Sequence, residues 1–320
     1  MMLLHPKDTF DKLEFNKVLQ LVEENCLGAL GRRAVGNIRP ETSKVLIEAK
    51  LEEVAQYKRS IEQDERIPLS AYVDLSEDLK HLEIVDFVLP EDGLQRLAGT
   101  LRLLGDLFDF FKGERRTTYA RLYEIISPHP LEESLLEAID RIIDEEGNIR
   151  PDASPELLHL RKQVIAKGKE LEKQFRSLIQ DYRQKGWLTD NVESFRNGRR
   201  VLSVPAEHKR NLRGIIHDES ATGKTAFIEP EAVIHINNDI FDLQQEEKRE
   251  IYRLLKALSA TLRPHVPQLR AYQELLVRFD LIQAKARLAL RMEANQPVLK
   301  KGPHLGIWEG YHPLLLLKNR

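Results

Sequence analysis

Two stretches of this chain repeat apolar residues every three to four positions, and between them the period drops to two. Leu157, Val164, Leu171, Phe175, Leu178 and Tyr182 mark the first stretch, residues 154–185, with Arg161 and Gly168 as defects. Phe241, Ile251, Leu255, Leu258 and Leu262 mark the second, residues 231–263. Leu269, Tyr272, Leu276, Phe279, Ala286 and Leu290 continue it over residues 268–293, after a break at Pro264 and Pro267. Apolar residues on a 3.5-residue repeat form the seam of a coiled coil. About 30 residues at 1.5 Å each make a rod of roughly 45 Å. Ser154 is a good N-cap, Pro155 fits the first helical position, and Glu156 suits the helix dipole.

The intervening segment predicts a small sheet. Asn197-Gly198 between two strand-like runs, Val192 to Val204, is the strongest short hairpin signal. Leu212 to His217 is expected to be a third strand, and Thr225 to Ile228 a fourth, after a turn at Ser220-Ala221-Thr222-Gly223. The pattern predicts a mainly α chain. One rod runs out, a small antiparallel sheet is inserted at its tip, and a second rod returns.

Ahead of the rods, the sequence reads as a helical domain. One helix is expected over residues 8–27, with Phe10, Leu13, Phe15, Val18, Leu19, Val22 and Leu27 on one face. Gly28 and Gly31 interrupt, and Pro40 ends a short helix. Further helices are expected over 43–64, from Pro90 with Leu94, Leu97, Leu101, Leu104, Leu107, Phe108 and Phe111 inward, and over 131–143. Beyond residue 297, Gly302-Pro303, Leu305-Gly306-Ile307-Trp308 and Tyr311-His312-Pro313 predict a linker and the start of a strand.

Composition agrees with long solvated helices. The 320 residues are 31% charged and only 7% aromatic, with a net charge of −2. A chain wrapped in nucleic acid throughout would be basic overall, so any such binding is local. The single cysteine, Cys26, excludes an internal disulfide and a cysteine metal site. Met1-Met2-Leu3-Leu4-His5-Pro6 lacks the apolar core of a secretion signal. No stretch approaches the roughly 18 apolar residues of a membrane span. The cytoplasm is the expected location.

The local basic patch lies in the sheet segment. Arg196, Arg199, Arg200, Lys209, Arg210 and Arg213 face a single acid, Glu207, within residues 196–213. Such cations suit a phosphate backbone, where each neutralised phosphate releases counterions. Charged edge-strand protection gives the same composition. Placement at the far end of a rod favours binding, because a purely structural sheet gains nothing from being held out there.

Other motifs are weaker. Gly223-Lys224-Thr225 resembles the end of a phosphate-binding loop, but Asp218 stands where that loop needs glycine, and a strand follows where it needs a helix. A β-turn is the expected reading. No histidine or acid cluster has metal-ligand spacing, and no nucleophile–base arrangement is present. His217 and His235 flank the sheet; either they meet across it or each is a hydrogen-bonded structural residue. Trp187 is expected to pack where the first rod meets the sheet; base stacking is the alternative, although a strand separates Trp187 from the basic turn.

Several runs then point to a known family. Glu146-Gly147-Asn148-Ile149-Arg150-Pro151-Asp152, leading to Leu157 and Leu160-Arg161, resembles the passage in MutS proteins where the core hands over to the lever helices. Arg196-Asn197-Gly198-Arg199-Arg200-Val201-Leu202-Ser203-Val204-Pro205 is similar to the start of the clamp in the second bacterial MutS family. So are Gly214-Ile215-Ile216-His217-Asp218-Glu219-Ser220-Ala221-Thr222-Gly223-Lys224-Thr225, Phe227-Ile228-Glu229-Pro230 and Asn237-Asn238. Leu13-Glu14-Phe15 through Leu30-Gly31, with Ile38-Arg39-Pro40, looks like the opening of a MutS core without a mismatch-recognition domain ahead of it.

The resemblance implies a helical core over 1–152 and an outgoing lever over 153–188. It implies a β clamp over 189–230, a returning lever and core helices over 231–295, and a linker into an ATPase domain over 296–320. It further implies a homodimeric, DNA-binding ATPase that uses ATP and magnesium and usually ends in a small Smr nuclease domain. Such proteins act on branched or recombination DNA and restrain homologous recombination; an association with collided ribosomes is also implied. The ATPase motifs are not in these residues, and Tyr311 stands before His312-Pro313-Leu314-Leu315 where the family carries arginine. The expectation is therefore a shortened chain that stops before the ATPase domain, holds no cofactor and does not hydrolyse ATP itself. A structural dimerisation module remains the alternative to a nucleic-acid clamp.

Overall fold

The computed structural model describes residues 8–190, 192–300, 302 and 305–318. The run Met1–Pro6 and Pro303 of the tail, both read above, lie outside the described residues. The fold is mainly α with one small four-stranded antiparallel sheet. The chain divides into two compact units, residues 1–148 with 258–320, and residues 149–257.

The first unit is helical. Its N-terminal helix is not continuous as the periodicity predicts. Thr9–Lys12 and Phe15–Glu24 are separate helices, because Glu14 adopts a left-handed conformation, φ 52°. The helix Lys44–Glu62 starts at Ser43, whose hydroxyl accepts from the Leu46 amide. In Glu91–Phe110, the leucines at 94, 97, 101, 104 and 107 are all buried on one face. Val266–Arg291 packs against the helices at 15–24, 29–35 and 44–62. Pro267 sits in its first turn, where a missing N–H costs nothing.

Asp280 anchors this unit. It is fully buried, and its carboxylate accepts from the Leu27 amide at 2.8 Å, the Gly28 amide at 2.9 Å, Tyr72 Oη at 3.1 Å and Gln283 Nε2 at 3.1 Å. Gly31 is required here, since a Cβ would lie 2.0 Å from the carboxylate. The glycines that read as helix interruptions are thus sites of close approach, Gly31 to the buried acid and Gly28 to the Tyr72 ring, 2.4 Å from where its Cβ would lie. In the tail, Pro313–Lys318 is a short helix, which replaces the expected strand; the proline supplies a favourable first helical residue.

The second unit is a helical pair carrying the sheet. Pro155–Gln184 starts at Ser154 and Glu231–Leu262 begins directly after the last strand, contributing to this unit up to Ala257. The two helices are antiparallel. Ser154 Oγ donates to Glu250 Oε1 at 2.6 Å, Arg161 pairs with Glu247 at 2.8 Å, and Lys167 pairs with Asp239 at 2.9 Å. Farther along, Leu171 and Phe175 share a core with Val233 and Ile236. The seam is not evenly apolar. Leu157 and Leu160 are buried near its start and Leu171 and Phe175 past its middle, while no residue from 161 to 170 is buried. Ion pairs bridge that polar middle.

Four strands form the sheet: β1 Glu193–Arg196, β2 Arg199–Pro205, β3 Gly214–Glu219 and β4 Thr225–Pro230, in the order β1-β2-β4-β3. Leu202, Val204, Ala226 and Ile228 bury one face against Leu171, Phe175, Val233 and Ile236. Leu212, predicted to open the third strand, instead precedes it and fills this core. A bulge at His217 shifts the β3–β4 register between Ile216 and Asp218. Bulges bend a strand and re-aim side chains.

Candidate nucleic-acid interface

The Asn197-Gly198 turn forms as its sequence predicts. Both residues have positive φ, 53° and 76°, as a tight two-residue hairpin with strand-matching twist requires. Arg196 and Arg199 are direct partners across it. Like charges opposite one another repel, and the structure resolves this by sending each guanidinium to a different acid.

Arg196 extends across the sheet. Its guanidinium lies 3.7 Å from the Phe227 ring centroid, and its Nε donates to Asp218 Oδ2 at 3.1 Å. Nη1 also donates to Ser194 Oγ at 2.7 Å. Arg196 and Asp218 sit on opposite edge strands, which a flat sheet would hold about 14 Å apart. That exceeds the reach of the two side chains, so the sheet curls and brings its edges together.

Arg199 turns inward. Its Nη1 donates to both oxygens of Glu229, at 2.9 and 3.2 Å, and its Nη2 donates to Asn238 Oδ1 at 2.6 Å. Glu229 is fully buried and also accepts from Asn237 Nδ2 at 2.8 Å, while the bulged His217 brings Nε2 within 2.6 Å. Burying a carboxylate is tolerable only with such partners. Arg200 pairs with Glu193 at 2.5 Å and lies 4.9 Å from the Phe175 ring centroid.

The cations do not gather at one tip. Arg199 contacts Asn238 in the helix that leaves the sheet, and Asn237 Nδ2 reaches the Arg200 carbonyl at 3.3 Å. The hairpin turn therefore lies at the helix end of the sheet, not at its far end as expected. The reason is topological: β1 runs back toward the start of the returning helix before the chain turns into β2. Arg213 is at this same end, its carbonyl accepting from the Glu231 amide at 3.0 Å.

The opposite end carries the β2–β3 connection and the turn before β4. Lys209 pairs there with Glu219 at 2.9 Å, and Lys224 projects from the turn, its carbonyl bonded to the Ala206 amide. Gly223 has φ 67° and Thr225 opens β4. Gly223-Lys224-Thr225 is thus a β-turn leading into a strand, without the helix that a phosphate-binding loop needs.

Three cations remain uncommitted. Arg210, Arg213 and Lys224 are exposed and have no ion pair or side-chain hydrogen bond among the described residues. Lys224 was not among the predicted site residues. Its only sequence signal was a motif for another chemistry. Of the predicted six, Arg196, Arg199, Arg200 and Lys209 are paired with acids and only Arg210 and Arg213 stand free.

The histidines do not meet across the sheet: His217 belongs to the Glu229 network and His235 is exposed on the returning helix. Trp187 stacks on Tyr182, centroids 5.9 Å apart, with Lys185 Nζ 5.1 Å from the indole centroid. Burial pushes the Tyr182 hydroxyl above its usual range. Among the described residues no cluster of histidine, cysteine and acid could hold a metal ion, and no helix is long and apolar enough to cross a membrane.

No family model matches the chain. It is similar to proteins named endonuclease MutS2. The one from Ruminiclostridium cellulolyticum is 32% identical over 304 residues, covering 95% of this chain and 38% of the relative. Those of Geobacillus thermodenitrificans and Alkaliphilus oremlandii are 31% and 30% identical, over 309 and 304 residues. The chain thus spans less than two-fifths of the length of these curated relatives, which match nearly all of it.

Proposed function

We propose that this chain is the nucleic-acid-gripping part of a MutS2-type protein. In this reading the helical unit is the core, the antiparallel pair the levers, and the curled sheet the clamp. The similarity to endonuclease MutS2 proteins over nearly the whole chain carries the proposal. The geometry supports it with uncommitted cations on a small, well-anchored sheet.

The grip is assigned to Arg210, Arg213 and Lys224, with Arg196 and Lys209 available from exposed ion pairs. Exposed pairs contribute little stability, so exchanging an acid for a phosphate costs little. Arg199 and Arg200 hold the sheet in shape. These contacts are to backbone phosphate and carry no sequence information. Branched DNA, which presents two duplex backbones close together, is the proposed target, and restraint of recombination the proposed role. Homodimerisation and the use of ATP and magnesium are proposed for the longer protein, outside this sheet.

The test is anisotropy of a labelled four-way junction and a plain duplex, with wild type and the triple variant Arg210→Glu, Arg213→Glu, Lys224→Glu. Junction-preferring, salt-sensitive binding that the variant loses is expected. Equal binding by the charge-reversed protein would overturn the assignment. Binding of ribosomal RNA in preference to both DNAs would move the target to the ribosome.

A further inference from the structure

A second cation-lined site lies far from the sheet in sequence, wholly within the helical unit. The helices Lys44–Glu62 and Val266–Arg291 and the segment after the latter enclose a cleft of about 440 Å³. Leu51, Val54 and Ala289 form apolar walls, and Lys58, Arg59 and Lys285 bring positive charge to it. Small-molecule sites have this character: mostly apolar, a few hundred Å³, with a few placed polar groups.

The charges are not balanced from within. Lys58 donates to the Ala294 carbonyl at 3.1 Å and pairs with Glu62 at 3.4 Å, so these two largely offset each other. Lys285 is half-buried and has no ion pair or hydrogen bond of its ammonium among the described residues. The nearby acid, Glu53, is committed to Arg278 at 2.7 Å. Burial, with repulsion from Lys50, pushes the Lys285 ammonium below the usual lysine range. A desolvated cation whose nearest acid is committed to another residue gains from an incoming anion.

We infer that this cleft binds a small amphipathic organic anion, its carboxylate or phosphate at Lys285 and its apolar body between Leu51, Val54 and Ala289. The inference does not rest on the nucleic-acid reading, because no sheet residue lines the cleft.

Calorimetric titration of the full chain with octanoate and benzyl phosphate tests it, with octanol as the neutral control. At least one anion should bind saturably at one site, at least tenfold more tightly than octanol. Lys285→Met, which keeps the volume and removes an unpaired charge, should fold normally and lose the anion at least tenfold. The Arg210→Glu, Arg213→Glu protein should bind it as wild type does. Absence of saturable anion binding, equal binding of octanol, or unchanged affinity in folded Lys285→Met would each overturn the inference.

Discussion

Arg199 donates to both carboxylate oxygens of Glu229, a residue with no exposed surface and thirty positions farther along the chain. Removing one partner of a buried pair leaves the other charge uncompensated. Arg199→Met should therefore destabilise the second unit by about 2–3 kcal/mol, with His217 and Asn237 softening the full loss. Urea unfolding followed by Trp187 fluorescence, in a Trp308→Phe background, reads this directly. A change below about 0.5 kcal/mol, typical of a surface substitution, would contradict the structural role given to this arginine.

Ser154 links the two long helices. Its hydroxyl accepts from the Leu157 amide at 3.0 Å and donates to buried Glu250 at 2.6 Å. Ser154→Ala should cost about 1–2 kcal/mol, the cap with the added loss of a buried contact. Glu250 is held below the usual carboxylate range by Arg253 and by this hydroxyl. Its contribution is present above the unfolded carboxylate pKa and is lost as pH falls through the folded value. The variant's deficit should therefore shrink in acid, measured by urea titrations at neutral and acidic pH.

Cys26 should resist modification. Burial, with the Asp280 charge nearby, pushes its thiol from an ordinary value of 9.0 to about 12. The unfolded thiol thus ionises while the folded one stays neutral, so stability falls as pH rises between about 9 and 12. Below that window the contribution is complete. At pH 8 an aromatic disulfide reagent should react with one thiol per chain in urea and with almost none in the native protein. Fast native labelling would contradict the burial.

Local signals carried much of this fold. Ser154-Pro155 marks a helix start and Asn197-Gly198 a hairpin, because caps and tight turns depend on a few adjacent residues. The left-handed break at Glu14 lacks the glycine, asparagine or proline that normally signals one. The basic run at 196–213 was visible, but its division was not. Which arginine meets which acid depends on strand order, on the bulge at His217 and on the return of the helix past Asn238. These are pairings between distant residues. The anion cleft was equally hidden, since Lys58 and Lys285 are ordinary helical lysines until the helices pack.

Arg210 and Arg213 are proposed to hold backbone phosphate, and Arg200, paired with Glu193, is proposed not to. The most direct measurement is the slope of log affinity against log salt for a DNA duplex, in wild type, Arg210→Gln/Arg213→Gln and Arg200→Gln. Each lost phosphate contact should lower the slope by about 0.9, so the double variant should fall by nearly two while Arg200→Gln, once folded, keeps the wild-type slope. An unchanged slope in the double variant, or a fall only in Arg200→Gln, would contradict the account.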